Sequence, residues 1–177
     1  MPYLMLDIET LSTRPDAAVV AIGCAVFDLD GVISSSGWRI RPTDWIGHID
    51  PATLKWWMDQ SNEARTATFG GTTSAGSVAT QLREWLSSNI SGVYANDPSF
   101  DIAILKNWWT NFSGTPFPFS YKLERSYRTI TALAKRYGID YSSAYDRAIP
   151  HDAVSDACCQ ARAVALIQAE LDRRMRL

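Results

Sequence analysis

Two apolar runs dominate the start of the chain, YLMLDIE at 3–9 and AAVVAIGCAVFD at 17–28. The first has no helical rhythm and reads as a buried central strand that turns polar at its C-terminal end. The second reads as another long strand. Asp30-Gly31 follows, and an Asp-Gly between apolar runs signals a tight hairpin turn. VISSSGWRIRP then returns as a third strand. A three-stranded meander is therefore expected as the framework on which everything downstream must pack.

After the meander the pattern changes. Residues 51–68 read as short helices opened by Pro51 at a first-turn position. GGTTSAGS at 70–77 reads as a flexible loop, and SVATQLREWLSSN at 77–89 as an amphipathic helix. GVYAN at 92–96 is a short fourth strand, Asp97-Pro98-Ser99 a turn, and FDIAILKNWWTNF the next helix. SGTPFPFS at 113–120 is a loop, and a fifth strand is expected near 121–127. RTITALAKRYG follows as a helix closed by Gly138. The last helix starts near Asp152, a plausible N-cap, and runs towards the C-terminus. Its apolar positions Val154, Ala157, Cys158, Ala161 and Val164 keep helical spacing. Strands first, then strands alternating with helices, predict one α/β domain over 1–177. Its mixed sheet of about five strands is flanked by helices, with right-handed crossovers. Sites in such sheets collect at the carboxyl ends of central strands.

Composition excludes several classes. The chain has 177 residues, 46% of them hydrophobic, which suffices for a sizeable core. A formal net charge of −2 argues against a polycation that coats nucleic acid, though not against bound cations at an acidic site. Cys24, Cys158 and Cys159 are odd in number and two are adjacent, a poor disulfide framework, so they are expected as buried thiols in a reducing compartment. With only His48 and His151 as histidines and no CxxC pair, zinc is not the expected metal. No signal segment opens the sequence and no apolar run reaches about 18 residues, so a soluble intracellular protein with no membrane contact is expected.

Asp7 and Glu9 stand two apart at the end of the first strand, where period two places both on one face. Two carboxylates aimed the same way repel unless a cation lies between them. Asp101, in NDPSFDIAIL, sits at the start of a helix just after the fourth strand, among apolar neighbours. In PHDAVSDACCQA, Asp156 falls about one turn into the last helix and His151 lies just outside it, able to lean over the same spot.

DIET, then FDIAIL, then H-x-x-x-x-D resembles the DEDDh exonucleases in order and spacing, a superfamily that includes oligoribonuclease, ribonuclease T and polymerase proofreading domains. LMLDIETL, TLKWWMDQS, NDPSFDIAIL, RSYRTI and HDAVSDACCQA are similar to a narrower branch of phage and bacterial enzymes, the exonuclease VIII-like and 3′-to-5′ exoribonucleases. The resemblance covers nearly the whole chain, and no catalytic position departs from the pattern.

The resemblance implies a ribonuclease H-like fold and a metal-dependent 3′-to-5′ exonuclease in the cytoplasm of a bacterial or phage-infected cell. It implies two divalent cations, with Asp7 bridging both, Glu9 and Asp156 completing one site, and Asp101 holding the other. Oxygen ligands suit Mg²⁺ or Mn²⁺. His151 would act as general base, since an imidazole ionises near neutral pH. The expected partner is a single-stranded 3′ end of RNA or DNA, with a homodimer left open. The backbone around Thr10 and Leu11 is an implied contact with the terminal sugar and base. Trp56 and Trp57 offer stacking faces, and their adjacency in a helix predicts one buried and one near substrate. Asn96, Arg125 and Arg128 are candidates to orient or meet phosphate or base. Two alternatives compete. One is a non-catalytic nucleic-acid-binding relic of the same fold. The other is a phosphotransfer enzyme using Asp7 as nucleophile, which would want a second Asp where this chain has Glu9.

Overall fold

The expected meander forms the antiparallel half of a five-stranded sheet. In a computed structural model that describes residues 2–86, 89–146 and 149–176, β1 (Tyr3–Thr10), β2 (Val19–Asp28) and β3 (Gly31–Arg39) pair antiparallel. β4 (Val93–Ala95) and β5 (Glu124–Ser126) extend the other side of β1 in parallel. The strand order is β3-β2-β1-β4-β5, so β1 is central. The helices are α1 (Pro51–Met58), α2 (Asn62–Phe69), α3 (Ala75–Trp85), α4 (Asp101–Phe112), α5 (Tyr127–Tyr137) and α6 (Ala153–Met175). This is the mixed α/β architecture the sequence pattern implies. Among the described residues, no helix is long and apolar enough to cross a membrane.

Alternation along β1 divides the core. Leu4, Leu6 and Ile8 pack with Val78 and Leu82 of α3 and Ile102, Leu105 and Trp109 of α4. Met5 points the other way, joining Ala25, Phe27 and Tyr94 beneath Ala157, Ala161 and Val164 of α6. Cys24, Cys158 and Cys159 are buried and free.

Two glycines set how closely α6 can approach. Gly23 of β2 and Gly37 of β3 are register partners, and Gly23 also pairs with Asp7 of β1. A Cβ on Gly23 would lie 2.0 Å from the Ala153 carbonyl oxygen, and one on Gly37 would lie 2.0 Å from Val154 Cγ2. Side chains are excluded there, so the first turn of α6 rests directly on the sheet beside Asp7.

Element boundaries depart from expectation where a local cap decides them. α3 begins at Ala75 rather than Ser77, because the Ser74 side chain accepts from the Ser77 amide. The segment before it is partly ordered against the sheet, with the Arg41 amide donating to the Thr73 carbonyl (2.9 Å). β2 starts two residues late: Ala18 instead donates to the His48 carbonyl (3.0 Å). The fifth strand shrinks to three residues, because Tyr121–Leu123 forms a 3-10 turn and Ser126 caps α5. The expected reach of the third helix to Asn89 crosses residues 87 and 88, and that of the last helix ends at Leu177. Those positions lie outside the described residues.

Candidate active site

The carboxyl end of β1 lies beside the N-termini of two helices. Asp7 and Glu9 share the Met5 face and so point towards the start of α6. Both are buried, each 8% exposed. Gln160, one turn after Asp156 on α6, donates from Nε2 to Asp7 Oδ1 (3.0 Å). Asp101 opens α4, where the positive end of the helix dipole favours a carboxylate. Its Oδ2 accepts from the Asp97 amide (3.0 Å), so the turn after β4 fixes its orientation.

The last two groups come from the α6 junction. Asp152 caps the helix, accepting from the Ser155 amide (2.8 Å). His151 precedes it with a φ of 60°, a left-handed conformation that few residues with a Cβ adopt. Two hydrogen bonds hold it there: its amide donates to Asp156 Oδ2 (3.0 Å), and its carbonyl accepts from Thr68 Oγ1 (2.8 Å). The ring stands edge-on to Trp56 (4.9 Å between centroids) and Trp57 (5.9 Å). Glu9, His151 and Asp156 offer ligand atoms that all lie within 4.8 Å of one another.

This cluster is electrostatically uncomfortable on its own. Burial holds Asp7 well above the usual carboxylate range, and Asp101 and Asp156 push it further. Burial, then Asp7, raises Glu9 to about 10. Burial raises Asp101 to about 6 against the pull of backbone amides. Burial also raises Asp156, which the His151 amide and ring partly offset. Ion pairs among the described residues use other carboxylates, among them Asp16, Asp44, Asp59, Asp97, Glu124 and Glu170. Four converging acids, none ion-paired with a Lys or Arg among the described residues, fit a site for divalent cations. A further sign is Gln160 Oε1, which is buried with no hydrogen-bond partner.

Two adjoining cavities of about 500 Å³ each meet over Glu9 and Phe100. The acidic one is lined by Asp7, Glu9, Asp101, His151, Asp156 and Gln160, with Asn96, Asp97 and Arg128 at its side. The other is largely apolar, with Ile8, Thr10, Thr53, Trp56, Trp57 and Phe100 in its walls.

The candidate substrate residues divide. Trp57 is buried, and its Nε1 donates to the Thr10 carbonyl (2.9 Å), pinning α1 to the end of β1. Trp56, 43% exposed, faces the apolar cavity. Asn96 and Arg128 line the acidic one, with Arg128 Nη1 3.4 Å from Asp97 Oδ2. Thr10 lines the apolar cavity. Leu11 does not reach it. It packs with Ala18, Val20 and Trp57, while its amide donates to Ala18 and its carbonyl accepts from Asp50. Arg125 also stays away from the cleft. Register puts it level with Tyr94 and Met5, one pleat short of Asp7, and its guanidinium donates to the Lys122 and Glu124 carbonyls. Sequence reasoning missed Gln160, Thr68 and Gly23. Each acts through a partner distant in sequence, and only a buried amide in an otherwise apolar helix face marked Gln160.

Residues 2–168 match the 3′-5′ exoribonuclease Rv2179c-like domain. The chain belongs to that family. Among curated proteins, none matches it in sequence. Solved nucleases share its fold. The zinc-bound complex of E. coli exonuclease I with single-stranded DNA superposes with a TM-score of 0.72 at 13% identity, over 97% of this chain and 41% of the other. The nuclease domain of 3′hExo, a DEDDh family member bound to rAMP, gives 0.63 at 9% identity, over 96% and 92%. Cell-death related nuclease 4 gives 0.62 at 14% identity, over 96% and 64%. The chain thus spans about two fifths of the exonuclease I chain it matches. The five positions that carried the resemblance all line the acidic cavity.

Proposed function

We propose that residues 1–177 act as one domain that removes nucleotides singly from the free 3′ end of RNA or DNA, releasing nucleoside 5′-monophosphates. Asp7, Glu9, Asp101 and Asp156 would hold two divalent cations, Mg²⁺ or Mn²⁺. The observation that carries this reading is the convergence at the end of β1 of three buried carboxylates, Asp7, Glu9 and Asp101, with the half-buried Asp156 and His151, none of the four acids ion-paired with a Lys or Arg among the described residues. Oxygen donors outnumber nitrogen four to one, which favours a hard cation. Bound cations would supply charge neutralisation on the scissile phosphate and on the attacking and departing oxygens.

The chain's own residues do the rest. His151 accepts a proton from the attacking water, its backbone held by Asp156 and Thr68 so that the ring stays over the carboxylates. Attack forms a new P–O bond and breaks the bond to the 3′-oxygen of the upstream nucleotide, so the phosphate leaves on the 5′ side of the released residue. The apolar cavity takes the terminal sugar and base, with Trp56 as a stacking face. Arg128 and Asn96, at the side of the acidic cavity, would meet the preceding phosphates. Buried free thiols suit a cytoplasmic setting.

The test is digestion of labelled RNA and DNA oligonucleotides with free or phosphorylated 3′ ends, before and after dialysis against chelator. Shortening from a free 3′ hydroxyl, lost in chelator and restored by Mg²⁺ or Mn²⁺, is expected. Efficient cutting of a circular substrate, or shortening from the 5′ end, would overturn the proposal.

A further inference from the structure

The geometry points to Gln160 as a positioning residue for Asp7 and for the cation site. The inference rests on the metal-dependent reading above. Gln160 lies within a helix stretch of buried small and apolar residues: Ala157, Cys158, Cys159, Ala161, Ala163 and Val164. It is itself only 7% exposed. A methionine of similar volume would pack there without desolvating an amide, so the amide is costly unless both its ends are used.

One end is used. Nε2 donates to Asp7 Oδ1 at 3.0 Å, in the interior, across 153 residues of sequence. Once a cation holds Asp7 ionised its carboxylate only accepts, so the amide nitrogen is then the end that faces it. This bond fixes the rotation of the Asp7 carboxylate and leaves Oδ2 as the oxygen free to coordinate. The other end, Oε1, is buried without a partner while the residue lines the acidic cavity. An unpaired acceptor on a residue that lines the acidic cavity suits a donor that arrives with the ligand, such as water in a cation's hydration shell. Gln160 touches no reacting atom in this scheme. It orients the ligand that does, as residues behind metal ligands commonly do.

Mn²⁺ binding to the full chain, read by calorimetry and by the cation-induced rise in melting temperature, tests this without relying on turnover. Gln160→Met is expected to weaken Mn²⁺ binding roughly 10- to 100-fold. Activity should fall at limiting metal and recover at high Mn²⁺, with KM for oligonucleotide unchanged. Should Gln160→Met not fold, Gln160→Asn carries the same expectation, since its amide is one methylene too short to reach Asp7. Wild-type Mn²⁺ affinity in a folded variant, whatever its melting temperature, would reduce Gln160 to packing and overturn the inference alone. Absence of Mn²⁺ binding by the wild-type chain would instead overturn the metal reading beneath it.

Discussion

The two halves of the cleft are built from opposite materials and held by opposite means. The acidic half draws Asp7 and Glu9 from β1, Asp101 from α4 and His151 and Asp156 from the α6 junction, all in a setting that raises the carboxylates' affinity for protons. The apolar half draws Trp56 and Trp57 from α1, and its geometry is fixed by packing and one indole hydrogen bond to Thr10. One half is destabilised so that it can bind; the other is stabilised so that it keeps its shape. Substitutions should therefore trade activity against stability in opposite directions on the two sides.

The largest effect belongs to the acidic half. Asp7→Ala and Asp156→Ala should each cut turnover by about 10³-fold or more, since charge stabilisation in a water-poor site is the dominant catalytic contribution. Both should leave the fold intact, and Asp7→Ala should raise the melting temperature of the chelated protein, because it removes a buried carboxylate crowded by Asp101 and Asp156. Thermal unfolding beside turnover checks this. A folded Asp7→Ala protein with near-normal rate, or one less stable than wild type in chelator, would erase the contrast. His151→Ala should cost about 10²–10⁴-fold, the range for one general base, with cation binding retained. Lost Mn²⁺ binding in a folded His151→Ala protein would move His151 from base to ligand, a role that the place of its ring nitrogen within 4.8 Å of Glu9 and Asp156 also permits.

The tryptophans sharpen the comparison from the other side. Trp57→Ala removes a buried ring and the indole bond to Thr10, and should cost about 3–5 kcal/mol of stability. Trp56→Ala should leave stability nearly unchanged and weaken oligonucleotide binding by about 1–3 kcal/mol, the worth of one base stack. Denaturant unfolding and KM for single-stranded substrate separate the two. Equal stability losses with unchanged KM would make the apolar cavity a feature of packing alone.

The halves also differed in how far sequence announced them. Asp7 and Glu9 stood out because charge at alternate positions ending an apolar strand is anomalous, and Asp152 because a cap before a periodic run is a local signal. The mixed sheet followed from the same local logic of runs and turns. The apolar half was quieter: adjacency predicted that Trp56 and Trp57 would part ways, yet nothing in α1 showed that Trp57 would reach Thr10, 47 residues away. That Arg125 and Leu11 line neither cavity has the same reason. Register with Met5 and Tyr94 decides where Arg125 lies, and the bonds to Ala18 and Asp50 decide how Leu11 is used. Thr68, Gln160 and Gly23 act on partners that only the folded chain supplies.

The smallest expected effect is a slope. In the acidic half the folded-state carboxylates hold protons more tightly than the unfolded chain does, where Asp and Glu titrate near 4. The native state then binds more protons than the unfolded state, and stability falls as pH rises. The fall should begin near pH 4; the part due to Asp101 should level off once it ionises around 6, and the part due to Glu9 should continue towards its value of about 10. The chelated protein should therefore melt at lower temperature at pH 8 than at pH 5.5. Cations act in the opposite sense, since they bind the ionised ligands and only in the folded state. At a hundred times its dissociation constant a cation contributes about 2.7 kcal/mol, and a domain of this size gains about 2–4 °C per kcal/mol. Mn²⁺ should thus raise the melting temperature by several degrees at pH 8 and by less at pH 5.5, where protons compete for the same oxygens. Asp7→Ala should flatten both dependences, whereas Trp56→Ala should leave both as in wild type. A chelated protein whose stability does not fall between pH 5.5 and 8 would mean that the acids are already compensated, and the cleft's two halves would then differ in polarity but not in strain.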